Sequence, residues 1–278
     1  MFLFLVNCSM DKSEQVDPEF LKNKAYDDGG DLKTRIQIQE EHATHPEDWF
    51  RWLFDQFEFP PSSRMLELGC GTGDLWLKNM DRLSKGWEAI LSDFALGMLN
   101  EPRRSSIAQD GRIKFCVLDA QAIPFPESSF DAVIGNGLVD HLPNRKRAID
   151  EIQRVLKPGG KFYTSAGGRT HLKEFNELIR PFLPEKDFGG EPERFGLENG
   201  EAILAHWFPH VRRTNYHSVL EFDRPDPILD YIFSEGDVKG ELGGDDLASF
   251  KSFLEERFAS HGVIRVTLEK GVFEAVKA

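Results

Sequence analysis

Cysteine is scarce in this 278-residue chain, with only Cys8, Cys70 and Cys116, set far apart. That spacing offers neither a disulfide framework nor a metal-ligand pair, so a reducing cytoplasm and no metal are expected. Positive charge is in deficit too: 34 lysines and arginines stand against 47 acids, for a net charge of -13. Such a surface repels a phosphate backbone unless its bases gather on one face, which disfavours nucleic acid as a partner. Long apolar runs are missing, as are internal repeats. The opening MFLFLVNC has no basic flank and is too short to span a bilayer, and no later segment is a membrane candidate. Met10 begins a polar stretch, so the residues before it read as an upstream start or a loose tail.

What is present is a globular composition, 40% hydrophobic and 12% aromatic, sufficient for a substantial core. Asp31 to Phe57 reads as two helices. In the second, His45-Pro46-Glu47-Asp48 opens the first turn, and Phe50, Leu53, Phe54 and Phe57 fall on one face. From Arg64 strand-like and helix-like segments alternate: strand Arg64 to Leu68, helix Asp74 to Leu83, strand Trp87 to Ser92, a helix around Met98 and Leu99, strand Arg112 to Leu118, strand Phe130 to Gly135, and a helix from Asn144 that Lys157-Pro158-Gly159-Gly160 stops. KFYTSAGG is a further strand. This rhythm predicts a doubly wound, mostly parallel α/β sheet with helices on both faces. After Gly168 helices predominate and are expected to form a lid over the carboxyl edge of the sheet, with strands in VRRTNYHSVLEF and at the C-terminus. EKDFGGEPERFG reads as a mobile loop.

LELGCGTGDLW places Gly69, Gly71 and Gly73 at the end of the first strand, where open α/β sheets bind ligands. Bare backbone there lets a ligand approach closely. The dinucleotide pattern G-x-G-x-x-G is not met, because the third glycine comes one residue early and Asp74 follows it. A Glu67 carboxylate beside the loop would repel phosphates and suit a cationic or amino-bearing ligand. Asp93, ending ILSD, could accept from both hydroxyls of a ribose; Asp119, ending VLD, could accept from an adenine amine, with Phe94 and Ala120 packing on the ring. Singly, each acid could instead solvate a loop or cap a helix. Three acids ending three successive strands are harder to dismiss.

At these residues the chain resembles the class I S-adenosylmethionine-dependent methyltransferases. LELGCGTG, LSDFALGML, LDAQAIPFPESSFDAVIGNGLVDHL and RVLKPGGKFY occur in order, and the resemblance covers roughly Arg64 to Gly168. It implies a seven-stranded, Rossmann-like sheet and S-adenosylmethionine as cofactor, with S-adenosylhomocysteine as product. Glu67, Gly69, Cys70, Gly71 and Gly73 would then surround the methionine and ribose, Asp93 would hold the ribose with Phe94 and Met98 beside it, and Asp119, Ala120 and Gln121 would address the adenine. The backbone of Asn136 and Gly137 would lie near the methionine end. Many similar chains are bulkier where this one has Gly137, Val139 and Asp140, which suggests an enlarged acceptor pocket.

The resemblance implies methylation of an oxygen or nitrogen of a small organic molecule by in-line displacement, which needs chiefly alignment and removal of water. For acceptors that must lose a proton, His141 is the first choice of base, since an imidazole titrates near neutral pH. Tyr26, Trp49, Asp140 and His171 are further acceptor-side candidates, and Trp52 and Trp207 are either core or aromatic wall. The expected organisation is a tail over residues 1–30, a helical segment over 31–61 covering the site, a cofactor-binding core over 62–168, and lid helices with the last strands over 169–278. A monomer or homodimer is expected. The alternatives are an RNA or protein methyltransferase, for which Arg103-Arg104, Arg145-Lys146-Arg147 and Arg212-Arg213 would be the contact residues, and a noncatalytic nucleoside-binding regulator.

Overall fold

The computed structural model describes residues 29–186, 188, 195–235 and 238–278. Tyr26, nearly all of the expected N-terminal tail and most of EKDFGGEPERFG lie outside them. Two helices, α1 (Gly30–His42) and α2 (Trp49–Asp55), precede the first strand. The side chain of Asp48 caps α2 by accepting from the amides of Phe50 and Arg51, so Pro46 lies before the helix and not in its first turn.

The strands are β1 (Arg64–Leu68), β2 (Glu88–Asp93), β3 (Ile113–Val117), β4 (Phe130–Asn136), β5 (Leu156–Gly167), β6 (His210–Phe222) and β7 (Ile264–Val276). They form one sheet in the order β3-β2-β1-β4-β5-β7-β6, parallel from β3 to β5, with β7 antiparallel to both β5 and β6. Strand order reverses between β1 and β4, which opens a crevice at their carboxyl ends.

Helix α3 is only Asp74–Leu77, shorter than the expected helix to Leu83. Buried Asn79 donates to the carbonyls of Leu75 and Phe50, ending α3 and tying it to α2, and a single 3-10 turn (Met80–Arg82) follows. The segment around Met98 is likewise three 3-10 turns and not a helix, because Pro102 removes an amide that an α-helix would need. Helix α4 (Arg145–Val155) starts on an Asn144 cap and buries Ala148, Ile149, Ile152 and Val155, the face expected from its periodicity. It ends at Leu156. Gly159 does not cap it but sits in a bulged start of β5, at φ 73°, bonded to the carbonyl of Lys277.

The remaining helices are α5 (Lys173–Ile179), α6 (Gly200–Leu204), α7 (Asp226–Phe233), α8 (Val238–Glu241) and α9 (Gly244–His261). Each face of the sheet carries its own core. Leu66, Leu68, Val133 and Phe162 pack against α4 and α6, and Met65, Leu91, Ile134 and Tyr163 pack against α2 and α3. A third core joins α1, α5, α7 and α9 to one end of β6 and β7 through Ile38, Phe175, Leu220, Phe222, Tyr231, Phe250 and Val266. Among the described residues no helix is long and apolar enough to cross a membrane.

Candidate active site

A cavity of about 1240 Å³ opens at the crevice between β1 and β4. Its floor is the turn after β1, where Gly69, Gly71 and Gly73 all have positive φ, which glycine adopts without strain. Cys70 donates its amide to Ser92 at 2.8 Å, and Gly73 donates to Cys70 at 3.0 Å, closing the turn. Gly69, Cys70 and Gly71 line the cavity; Gly73 does not. A Cβ on Gly73 would meet Pro102 and Ile107 at 2.9 and 3.1 Å, so a bare backbone at this position serves packing beneath the turn.

The two-residue repeat of β1 sends Leu66 and Leu68 to one face and Met65 and Glu67 to the other. Glu67 therefore enters the layer that holds Trp76, whose indole Nε1 donates to Oε2 at 2.6 Å. Glu67 is 2% exposed. Burial raises its carboxyl to about 8, and the negative charges of Asp93 and Asp74 add to the rise, while the indole bond opposes it. Where a carboxylate was expected beside the loop, burial thus favours the neutral acid. It borders the cavity as a hydrogen-bonding acid, and the charge there belongs to its neighbours.

Asp93, at the end of β2, accepts from the amide of Gly71 at 3.0 Å and from that of Ala95 at 2.9 Å. These bonds fix the glycine turn to the neighbouring strand end, and burial pushes the Asp93 carboxyl upward against them. Past β3, Asp119 accepts from the backbone and side-chain amides of Gln121 at 2.8 and 3.1 Å. Phe94, Met98, Ala120 and Gln121 complete this wall. After β4, Ser165 donates to Asn136 and accepts from the Gly137 amide at 2.9 Å. Gly137 lies at φ 63°, and a Cβ there would meet nothing within 4 Å.

His141 ends a 3-10 turn after β4 and lines the cavity, as does Asp140, whose Oδ1 accepts from Phe195 at 3.0 Å. Across the cavity Trp49 stacks on Trp52 at 5.4 Å and meets Tyr216 edge-on at 5.2 Å. His171 also faces in, with Nδ1 buried and without a hydrogen-bond partner. Burial and the nearby Lys270 charge lower its pKa to about 3, so it is neutral. Trp207 lies elsewhere, packed on the α4 core and donating to Asp150 at 2.7 Å.

Several lining residues escape a reading of the sequence. Gln39 of α1, Tyr216 of β6, Tyr231 of α7 and Lys270 of β7 come from four distant segments. Only Lys270 carries a visible signal, a lone cation in the apolar alternation of VTLEKGVFEAV. Burial lowers its pKa to about 8.

A family model described as methyltransferase domain matches residues 66–164. The demethylmenaquinone methyltransferase of Symbiobacterium thermophilum is 35% identical over 136 residues, 48% of this chain and 53% of that protein. The ubiquinone/menaquinone biosynthesis C-methyltransferase of Hydrogenovibrio crunogenus is 28% identical over 137 residues, 49% of this chain and 51% of that protein. The chain thus spans about half the length of these curated relatives. Among solved structures, phosphoethanolamine N-methyltransferase 2 of Haemonchus contortus, determined with phosphomonomethylethanolamine and S-adenosylhomocysteine, superposes with a TM-score of 0.57 at 20% identity, covering 94% of this chain and 60% of that one. This last likeness is one of fold.

Proposed function

We propose that this chain, which carries a match to a methyltransferase domain at its core, is a class I S-adenosylmethionine-dependent methyltransferase and transfers a methyl group to an oxygen or nitrogen of a small organic molecule. The observation that carries the reading is the size and reach of the cavity. At about 1240 Å³ it exceeds the ~300–1,000 Å³ of a pocket for one ligand, and its lining extends from the glycine turn to the Trp49–Tyr216 wall. Cofactor and acceptor side by side account for that volume.

The residues present fit the cofactor: Gly69 and Gly71 line the cavity, the space beyond Gly137 is open, and acids stand at two adjoining strand ends. Bound S-adenosylmethionine supplies a methyl group activated on a sulfonium. Asp93 would accept from the ribose hydroxyls, Asp119 and Gln121 would address the adenine between Phe94, Met98 and Ala120, and Glu67, Cys70 and the Asn136-Gly137 backbone would border the methionine end. Keeping the acids at the ribose avoids stabilising the cationic sulfur more before transfer than during it. His141 would take a proton from acceptors that must lose one. Residues 62–168 then hold the cofactor, while residues 31–61 and the helices of 169–278 cover the acceptor.

A second reading, methylation of a ring carbon in a quinone-type acceptor, draws support from the names of the curated relatives and from the aromatic wall of Trp49 and Tyr216, which Trp52 backs from outside the cavity lining. An RNA acceptor has less support. Arg212 of β6 pairs with Glu274, Lys146 of α4 pairs with Asp150, and Arg147 of α4 donates to the carbonyl of Gln121, so these bases are already engaged within the chain. The test is transfer of labelled methyl from S-adenosylmethionine to a metabolite extract, followed by identification of the methylated atom. Cofactor binding without any transfer would leave a noncatalytic nucleoside-binding protein instead.

A further inference from the structure

Lys270 enters the cavity from β7, where it stands in register with Gly167 of β5 and Tyr216 of β6. Its ammonium donates to Gln39 Oε1 at 2.5 Å and lies 4.8 Å from the centre of the Trp49 ring. Gln39 is held from its other end, where Nε2 donates to the Tyr231 hydroxyl at 2.8 Å. Among the described residues no carboxylate comes within ion-pair distance of Lys270. Asp48 acts on it only through space, and Asp48 already pairs with Lys78 at 3.1 Å. A cation withdrawn from water beside an amide oxygen and an aromatic face lacks the counterion that would offset its desolvation.

His171 faces the same chamber with its buried, unpartnered Nδ1. Gly167 makes room for the ring, since a Cβ there would lie 3.0 Å from it. A neutral imidazole offers one donor and one acceptor, which suits an oxygen in either protonation state. The walls are aromatic: Trp49, Tyr216 and Tyr231.

We propose that this end of the cavity is an anion subsite, and that the acceptor is a flat aromatic molecule bearing an acidic oxygen, a carboxylate or an ionised hydroxyl, for which Lys270 is the counterion. The subsite rests on the methyltransferase reading only in making its occupant the methyl acceptor. Lys270 is then a specificity-determining residue, and His171 hydrogen-bonds the same oxygen or its neighbour on the ring.

The probes are para-nitrobenzoate, para-nitrophenol and para-nitroanisole, which share a ring and differ in the acidic oxygen. Each is titrated by calorimetry against the full chain, with and without S-adenosylhomocysteine, and the visible phenolate band reports the ionisation of bound para-nitrophenol. At least one acidic probe is expected to bind about tenfold tighter than para-nitroanisole, the scale of one charge-assisted hydrogen bond. Lys270→Met should abolish that preference and Lys270→Arg should retain it, both with unchanged S-adenosylhomocysteine affinity as the sign of an intact fold. Preference for para-nitrobenzoate identifies a carboxylate; preference for para-nitrophenol, with its phenolate band, identifies a hydroxyl. Equal binding of the three probes, no binding of any, or an undiminished preference in Lys270→Met overturns the subsite. Failure to bind S-adenosylhomocysteine would instead overturn the methyltransferase reading, and the anion preference, measured without it, is judged separately.

Discussion

The Trp76 indole donates to Glu67 at 2.6 Å beside the glycine turn, with both side chains buried. Glu67 titrates at about 8 there, against 4.5 for an ordinary glutamate, so between those values the folded chain holds a proton that the unfolded chain has released. Stability from this group is therefore lost as the pH rises from about 4.5 to about 8, by roughly 3–5 kcal/mol in all, and is level above that. Glu67→Gln keeps an oxygen for the indole and cannot ionise. Urea unfolding across this pH range should show a shallower decline for the variant, and at the alkaline end the variant should be the more stable.

Gly73 and Gly137 separate packing from binding. Alanine at either position adopts an unfavourable left-handed backbone, costing about 1–2 kcal/mol. Gly73→Ala adds an overlap with Pro102 and should lower stability further while leaving affinity for S-adenosylhomocysteine nearly intact. Gly137→Ala meets no protein atom but fills cavity space, so its affinity should fall. Thermal unfolding and calorimetry on both variants test the contrast.

Asp93→Ala removes the acceptor proposed for the ribose together with the anchor of the Gly71 and Ala95 amides. Affinity for S-adenosylhomocysteine should weaken by about 1.5–3 kcal/mol, the range for hydrogen bonds to a charged group. Unchanged affinity by calorimetry would remove Asp93 from the cofactor site.

For an acceptor that must lose a proton, His141→Ala should lower single-turnover transfer by about 100-fold or more, with cofactor affinity unaltered. Normal turnover would mean that His141 serves the turn after β4 alone.

The periodicity of the α4 segment and the apolar runs of the first strands were legible because each element carries its own pattern of burial: Ala148, Ile149, Ile152 and Val155 all lie on the buried face of α4. Expected helix lengths failed where one side chain overrides the pattern, as Asn79 does in ending α3. The charge of Glu67 was not legible, because burial in the layer that holds Trp76 raises its carboxyl, and that burial does not show in its spacing from the glycines.

Sequence alone therefore determined the alternating α/β core, the turn of LELGCGTG and the acids at the ends of β2 and β3, since these follow from local periodicity and neighbouring residues. Only the tertiary structure decided which groups are charged and what stands opposite the turn. Burial sets the protonation of Glu67, His171 and Lys270, and it arises from elements far apart in the chain. The antiparallel insertion of β7 between β5 and β6 brings Lys270 beside Tyr216 and Gly167, and α1 lays Gln39 against it, a meeting of four distant segments that no local pattern encodes.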